Sequence, residues 1–260
     1  MTRVAVVTGA ARGIGAAVAI ALAADGWALA LGDVCADDPG LDYPLASPAD
    51  LEDVVGRCRA AGVGVVGRRC DVRDPKDVEA LVSAATALGD VHAAVAVAGV
   101  IGGSGPAWQL PDEVLRRDLD VNYLGVAHLA RTAVPRMLDL GGGGRFVAVV
   151  SAAGATGLPM LASYSASKHA ALGFVRSLAA ELAPTGITAN AVLPGSTDTP
   201  LLAASARVYE LASPQDFTRH QRTGRLLTPQ EVAETVRWLC SDAASGLTSA
   251  AVPVDGGFTG

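Results

Sequence analysis

The chain has 260 residues, half of them hydrophobic and 18% charged, with 20 Lys and Arg against 26 Asp and Glu. At about 100–200 residues per domain this length predicts one large domain or two small ones, and a core that folds without disulfide or metal staples. Half-apolar composition excludes intrinsic disorder, while a net charge of −6 and 4% aromatic residues argue against a protein that grips nucleic-acid phosphate or stacks bases.

The first predicted strand, Arg3–Thr8, begins almost at the N-terminus, and Met1-Thr2-Arg3 lacks the charged, apolar and small-residue regions of a signal peptide. It runs into Thr8-Gly9-Ala10-Ala11-Arg12-Gly13-Ile14-Gly15, which opens a helix over Ile14–Asp25. Glycines in such a turn let the backbone approach a pyrophosphate, whose charge then rests on the helix N-terminus. A second strand, Trp27–Asp33, ends on an acid about 20 residues beyond the turn, where a carboxylate accepts the adenosine ribose hydroxyls and repels a 2′-phosphate. Arg12 pulls the other way, toward a 2′-phosphate; Asp33 decides for NAD over NADP. Val34–Ser47 then intervenes before a helix at Pro48–Ala61.

A strand at Val63–Cys70, a helix at Pro75–Leu88 capped by Asp74, and a strand at Val91–Ala98 follow. A long helix is predicted over Pro111–Leu140, with Asn122 inside it. The strand Arg145–Val150 leads to Ser151, at a strand end where open α/β sheets place ligand groups. In the helix Ala162–Ala183, Tyr164 and Lys168 stand four apart and share a face. A phenol has an ordinary pKa of about 10; a nearby cation lowers it by roughly 1–3 units and makes it a proton carrier for an alcohol oxygen. A strand at Ile187–Leu193, a capped helix at Pro229–Cys240 after Thr228, and a strand at Ala250–Val254 complete the chain.

Strands apolar on both faces and separated by helices predict a doubly wound parallel α/β sheet in one domain spanning 1–260, with no linker or repeat. The uncharged stretches Val91–Leu110 and Phe146–Ser167 are broken by Gly, Pro and hydroxyls, so they read as strands and loops rather than membrane spans. Cys35, Cys58, Cys70 and Cys240 form no Cys-x-x-Cys pair and no histidine sits at ligand spacing from them, which predicts no metal, no disulfide and a reducing cytoplasm.

Together these motifs resemble the short-chain dehydrogenase/reductase family over the whole chain. The Thr8–Gly15 turn is similar to its cofactor motif, Cys70-Asp71-Val72 to its adenine-contacting acid, and Asn122, Ser151, Tyr164 and Lys168 to its catalytic tetrad. Asn190-Ala191-Val192-Leu193-Pro194-Gly195, with Thr197 and Thr199-Pro200, resembles the nicotinamide-side segment, and Val254-Asp255-Gly256-Gly257 the C-terminal signature. The resemblance implies a Rossmann-type sheet of seven strands in order 3-2-1-4-5-6-7 and commonly a homotetramer built on paired long helices. It implies Tyr164 as general acid/base, Lys168 as its tuner and ribose holder, Ser151 as the group polarising the substrate oxygen, and Asn122 as anchor of a relay water. The implied cofactor contacts are Gly9, Arg12, Gly13, Ile14, Gly15, Asp33, Asp71, Val72, Ala98, Gly99, Pro194, Gly195, Thr197 and Thr199, with Tyr164 and Lys168.

Two departures stand out. Ala96-Val97-Ala98-Gly99 replaces the family's Asn-Asn-Ala-Gly, leaving Val97 to compensate by packing and Gly99 to keep the backbone approach. The insertion Val34–Ser47 resembles that of the mycofactocin-associated branch, which implies NAD held tightly and reoxidised in place by a redox peptide cofactor. Leu41, Tyr43 and Leu45 supply apolar surface for such a cover. Residues Ser196–Arg225 are expected to form a substrate lid, and Ile101 and Trp108 an apolar wall, suited to a hydrophobic secondary alcohol or its ketone. The competing readings are an NADPH ketoreductase of acyl-carrier thioesters and a non-catalytic dinucleotide-binding redox sensor.

Overall fold

The computed structural model describes residues 2–259. The strands are β1 (Arg3–Thr8), β2 (Ala28–Asp33), β3 (Val65–Arg69), β4 (Asp90–Ala96), β5 (Arg145–Val149), β6 (Thr188–Pro194) and β7 (Ala251–Val254). They form one seven-stranded sheet in the order β3-β2-β1-β4-β5-β6-β7, every neighbouring pair parallel. The expected order therefore holds.

Strand composition explains the layering. In β1, Val4 and Val6 face one core while Ala5 and Val7 face the other, the period-2 alternation of a strand covered on both sides. One core packs the sheet against α3 (Pro75–Thr86), α5 (Gly125–Asp139) and α6 (Ala162–Leu182), through residues such as Leu81, Leu129 and Val175. The opposite core packs it against α1 (Gly13–Ala24), α2 (Pro48–Ala60) and α8 (Pro229–Leu239), through Leu22, Val54 and Val236. Ser47 and Thr228 cap α2 and α8 in reciprocal capping boxes with Asp50 and Glu231, and Asp74 caps α3. Strand order runs outward in opposite directions from β1 and β4, so a crevice opens at the strand ends there.

The helix expected over Pro111–Leu140 is not continuous. Pro111 precedes α4 (Asp112–Leu119); Asp120–Leu124 widens into a π-turn in which the Gly125 N–H donates to the Asp120 carbonyl; α5 follows. Such a turn inserts one residue and re-aims the side chains beside it, and Asn122 lies at its centre. The Ser196–Arg225 segment contains a helix that the sequence pattern does not announce, α7 (Pro200–Val208), capped by Thr199. Among the described residues, no helix is long and apolar enough to cross a membrane, and no group of three or more His, Cys, Asp or Glu could hold a metal ion.

Candidate active site

A cavity of about 700 Å³ opens at the strand ends and is lined by all of the expected cofactor residues, from Gly9 to Thr199, together with Ser151, Tyr164 and Lys168. At its floor the Gly9 backbone has φ +66, and a Cβ there would come within 2.5 Å of the Ala98 nitrogen, so the turn and the loop after β4 touch only because residue 9 is glycine. Arg12 stands at the N-cap of α1 without a side-chain capping bond. The first-turn N–H groups thus lack a side-chain cap where Gly13, Ile14 and Gly15 line the cavity, which suits a pyrophosphate.

Asp33 is buried at the end of β2 and accepts from the Ala11 N–H at 2.9 Å. Burial raises its carboxyl above the usual range, opposed by backbone N–H groups of Ala11, Val34 and Cys35 and by Arg12. Arg12 itself donates to the Pro44 carbonyl at 2.9 Å, so the guanidinium that could have met a 2′-phosphate is engaged by the insertion. Val97 packs on the α1-side core, as expected, and its N–H donates to Thr8 Oγ1 at 3.3 Å. An adenosine diol beside Asp33 and a diphosphate on α1 therefore fit the residues present.

At the other end, Tyr164 and Lys168 project from the first turns of α6 and are both buried. The Lys168 ammonium lies 5.6 Å from the Tyr164 ring centroid and donates to the Val149 carbonyl at 3.5 Å. Burial pushes the Tyr164 phenol up to about 12, with Ser151 pulling it down and Asp118 adding to the rise. Burial also lowers Lys168 to about 8, opposed by Asp118. In the protein alone, burial of the phenol thus acts against the lowering that the Tyr–Lys spacing predicts.

Asn122 does not line the cavity; it stands behind it. Its Oδ1 accepts from Val100 N–H at 2.9 Å, and its Nδ2 donates to the Val100 carbonyl and to Ser167 Oγ, each at 2.9 Å. A Cβ on Gly99 would meet Lys168 Nζ at 3.1 Å and Asn122 Oδ1 at 3.2 Å, so both groups converge on that glycine.

The insertion is folded across the cavity mouth. It leaves β2 through Cys35 in the left-handed region, φ 49. Leu41 and Leu45 pack on the core and line the cavity with Tyr43. The buried Tyr43 hydroxyl accepts from Ile101 N–H at 2.9 Å and donates to the Ile101 carbonyl at 3.2 Å. Asp38 pairs with Arg73 at 2.6 Å and Arg117 at 3.6 Å. Burial alone would raise Asp71, yet Arg73 also grips it bidentately and holds it below the usual carboxylate range. The strap is therefore tied to the α1 turn, the loop after β3, the loop after β4 and α4.

The remaining lining is mostly apolar: Leu158, Leu161, Leu201, Leu202, Leu211 and Phe217, with Arg219 and His220 at the rim. Ile101 lines the cavity as expected, but Trp108 is 84% exposed and lies outside it, because Ala107–Gln109 form a short turn facing solvent. Arg207 and Arg222 are likewise outside the lining. Sequence reasoning missed Asp118, wholly buried on α4, because no pattern within Asp112–Leu119 sets it apart from the exposed acids of that helix.

A family model described as enoyl-(acyl carrier protein) reductase matches residues 9–259. The cis-4-hydroxycyclohexanecarboxylate dehydrogenase of Sinomonas cyclohexanicum is 41% identical over 261 residues, covering 99% of this chain and 96% of that protein. The carveol dehydrogenase of Mycobacterium avium, solved with NAD, superposes with a TM-score of 0.94 at 30% identity, over 98% of this chain and 97% of that one. A variant of the actinorhodin polyketide ketoreductase, solved with NADPH, gives 0.86 at 36% identity, over 99% and 97%. The motifs, the strand order and these likenesses identify the chain as a short-chain dehydrogenase/reductase, an NAD-dependent oxidoreductase acting on CH–OH groups.

Proposed function

We propose that the protein interconverts a hydrophobic alicyclic secondary alcohol and its ketone, with Tyr164 as the proton-transferring group. The observation that carries this reading is the convergence of Ser151, Tyr164 and Lys168 on one wall of a cavity whose remaining substrate side is aliphatic and aromatic. In oxidation the carbinol O–H proton passes to Tyr164 as the C–H bond releases hydride; bound NAD supplies the hydride acceptor and a positive charge that favours the phenolate. Ser151 holds the substrate oxygen, Lys168 holds the nicotinamide ribose, and Asn122 fixes the Val100 backbone and a relay water behind Lys168. The substrate class is supported by the two dehydrogenases above, which by name act on cyclic alcohols.

The strap supports a second element of the proposal: NAD stays bound between turnovers and is reoxidised in place by an external acceptor of the mycofactocin type. Its ties to four surrounding segments oppose opening of the adenosine end. An NADPH ketoreductase is the alternative favoured by the ketoreductase likeness, but Asp33 and the engagement of Arg12 oppose a 2′-phosphate. Pairing of α5 and α6 between copies into a tetramer belongs to the same proposal, supported by the half-exposed Leu115, Leu119 and Leu124 beside them; sedimentation velocity giving a monomer mass would remove it. The mechanism is tested by Tyr164→Phe. Loss of the acid/base group should cut turnover of a cyclic alcohol by about 10²–10⁴-fold with bound NAD unchanged, and near wild-type turnover contradicts it.

A further inference from the structure

We infer that the alcohol carries a carboxylate on the side of its ring away from the carbinol, and that Arg219 on the lid receives it. The site then takes an alicyclic hydroxy acid in preference to a neutral alcohol. This deepens the proposed alcohol reading and rests on it for the placing of the carbinol at Tyr164.

Four arginines line the cavity: Arg12, Arg73, Arg117 and Arg219. The first three are held by protein oxygens. Arg12 donates to the Pro44 carbonyl, Arg73 pairs with Asp38 and Asp71, and Arg117 reaches Asp38 and the Gly102 carbonyl. Arg219 differs. Its Nε donates to His220 Nε2 at 3.3 Å, and among the described residues its terminal nitrogens meet no carboxylate and no other acceptor. Those nitrogens form the fork that grips a carboxylate through two parallel hydrogen bonds. Because His220 Nε2 accepts, the imidazole orients the guanidinium without adding a second charge in this arrangement.

The carboxylates of the cavity stand elsewhere. Asp33, Asp38 and Asp71 belong to the end of β2, the strap and the loop after β3, and each has its own partners. The lid's own acids, Asp198, Glu210 and Asp216, do not line the cavity. Asp216, nearest to Arg219 in sequence, accepts from the Ser213 N–H and caps the turn Pro214–His220. The apolar end therefore holds a guanidinium with no counter-charge.

Ring packing fixes where that guanidinium stands. Tyr209 packs on the small cluster that contains Leu161 and Tyr164, and its hydroxyl donates to the Pro159 carbonyl at 2.7 Å. Its ring meets Phe217 edge-on at 5.9 Å. The His220 ring lies 6.4 Å from Phe217 and 6.5 Å from Phe258. Tyr209, Phe217, His220 and Phe258 all line the cavity. Arg219 is thus carried by a row of rings that starts at the cluster of Tyr164 and ends at the C-terminal turn. A cycloalkane with its carbinol at Ser151 and Tyr164 turns its far side to this row. A single guanidinium balances a monoanion, which fits a carboxylate better than a dianionic phosphate. Arg219 is exposed at the rim, so the acid keeps part of its hydration and desolvation does not cancel the attraction.

The ketone form allows binding to be read without turnover, because oxidised NAD cannot reduce it. Calorimetry on protein loaded with oxidised NAD at neutral pH should show 4-oxocyclohexanecarboxylate bound about tenfold more tightly than its methyl ester. Arg219→Gln removes the charge and should bring that ratio down to about one, while Arg219→Lys should restore part of it. Equal wild-type affinities, no binding of either probe, or a ratio that survives in Arg219→Gln overturns the inference. Weaker NAD binding in Arg219→Gln with the ratio intact would assign the guanidinium to the pyrophosphate and overturn it as well. Preferential binding of the acid with no oxidation of the corresponding hydroxy acid would instead remove the alcohol reading and leave the carboxylate site standing.

Discussion

At the scale of single residues, the site works through carboxylates whose surroundings set them apart. Asp33 is raised by burial yet held by backbone N–H groups, and it faces a diol better than a dianion. Asp33→Ala should relax the preference for NAD and Asp33→Arg should reverse it; calorimetry showing equal wild-type affinity for NAD and NADP would refute this role. Asp118 gives a separate signature in stability. Its folded proton affinity, at about 6, exceeds the ordinary carboxylate value of 3.8, so the folded state binds more protons than the unfolded state between those pH values. Wild-type stability relative to Asp118→Asn should therefore grow as pH falls from about 6 to about 4, measured by urea unfolding at each pH. A constant difference would mean the carboxylate is not desolvated. Tyr164 and Asp33 were readable from motif spacing because each sits at a fixed offset from a turn or a helix start. Asp118 was not, since nothing in Asp112–Leu119 marks which acid is buried until α4 is packed on α6.

At the scale of elements, apolar periodicity sufficed to locate the strands and most helices, and fell short where one residue changes the hydrogen-bond pattern. The π-turn at Asp120–Leu124 keeps an ordinary helical sequence and differs only in that Gly125 bonds back five residues. The insertion was legible as an insertion, with Leu41, Tyr43 and Leu45 marked as cover, but its partners were not. Arg12, Arg73, Arg117 and Ile101 lie on four other segments. Those ties make the strap a cooperative unit, since opening it breaks an arginine bond, an ion-pair cluster and both Tyr43 bonds together. Isotope-labelled NAD should equilibrate slowly with the intact protein, and deleting Leu41–Leu45 should accelerate exchange by about two to four orders of magnitude if two apolar contacts of roughly 1.5–3 kcal/mol are lost. Rapid exchange in the intact protein would remove both the retained cofactor and the in-place reoxidation proposed with it.

At the scale of the whole molecule, the parallel order β3-β2-β1-β4-β5-β6-β7 brings the Gly9 turn, Asp33, Ser151 and the Pro194–Thr199 segment to one end of the sheet, although they are far apart in sequence. On the proposed reading, that gathering gives the cavity a dinucleotide end at the Gly9 turn and Asp33 and a substrate end at Leu158, Leu201 and Phe217, with Tyr164 between them. The central claim is that hydride and proton leave the same alcohol, the first to NAD and the second to Tyr164. It is tested most directly by single-turnover mixing of NAD-loaded protein with cyclic alcohols deuterated at the carbinol carbon, followed by mass analysis of the released nucleotide. The expected result is deuterium in the reduced nucleotide for wild type, with transfer slowed by about 10²–10⁴-fold in Tyr164→Phe. Transfer at an undiminished rate in Tyr164→Phe, or none from any cyclic alcohol to wild-type protein, would contradict it.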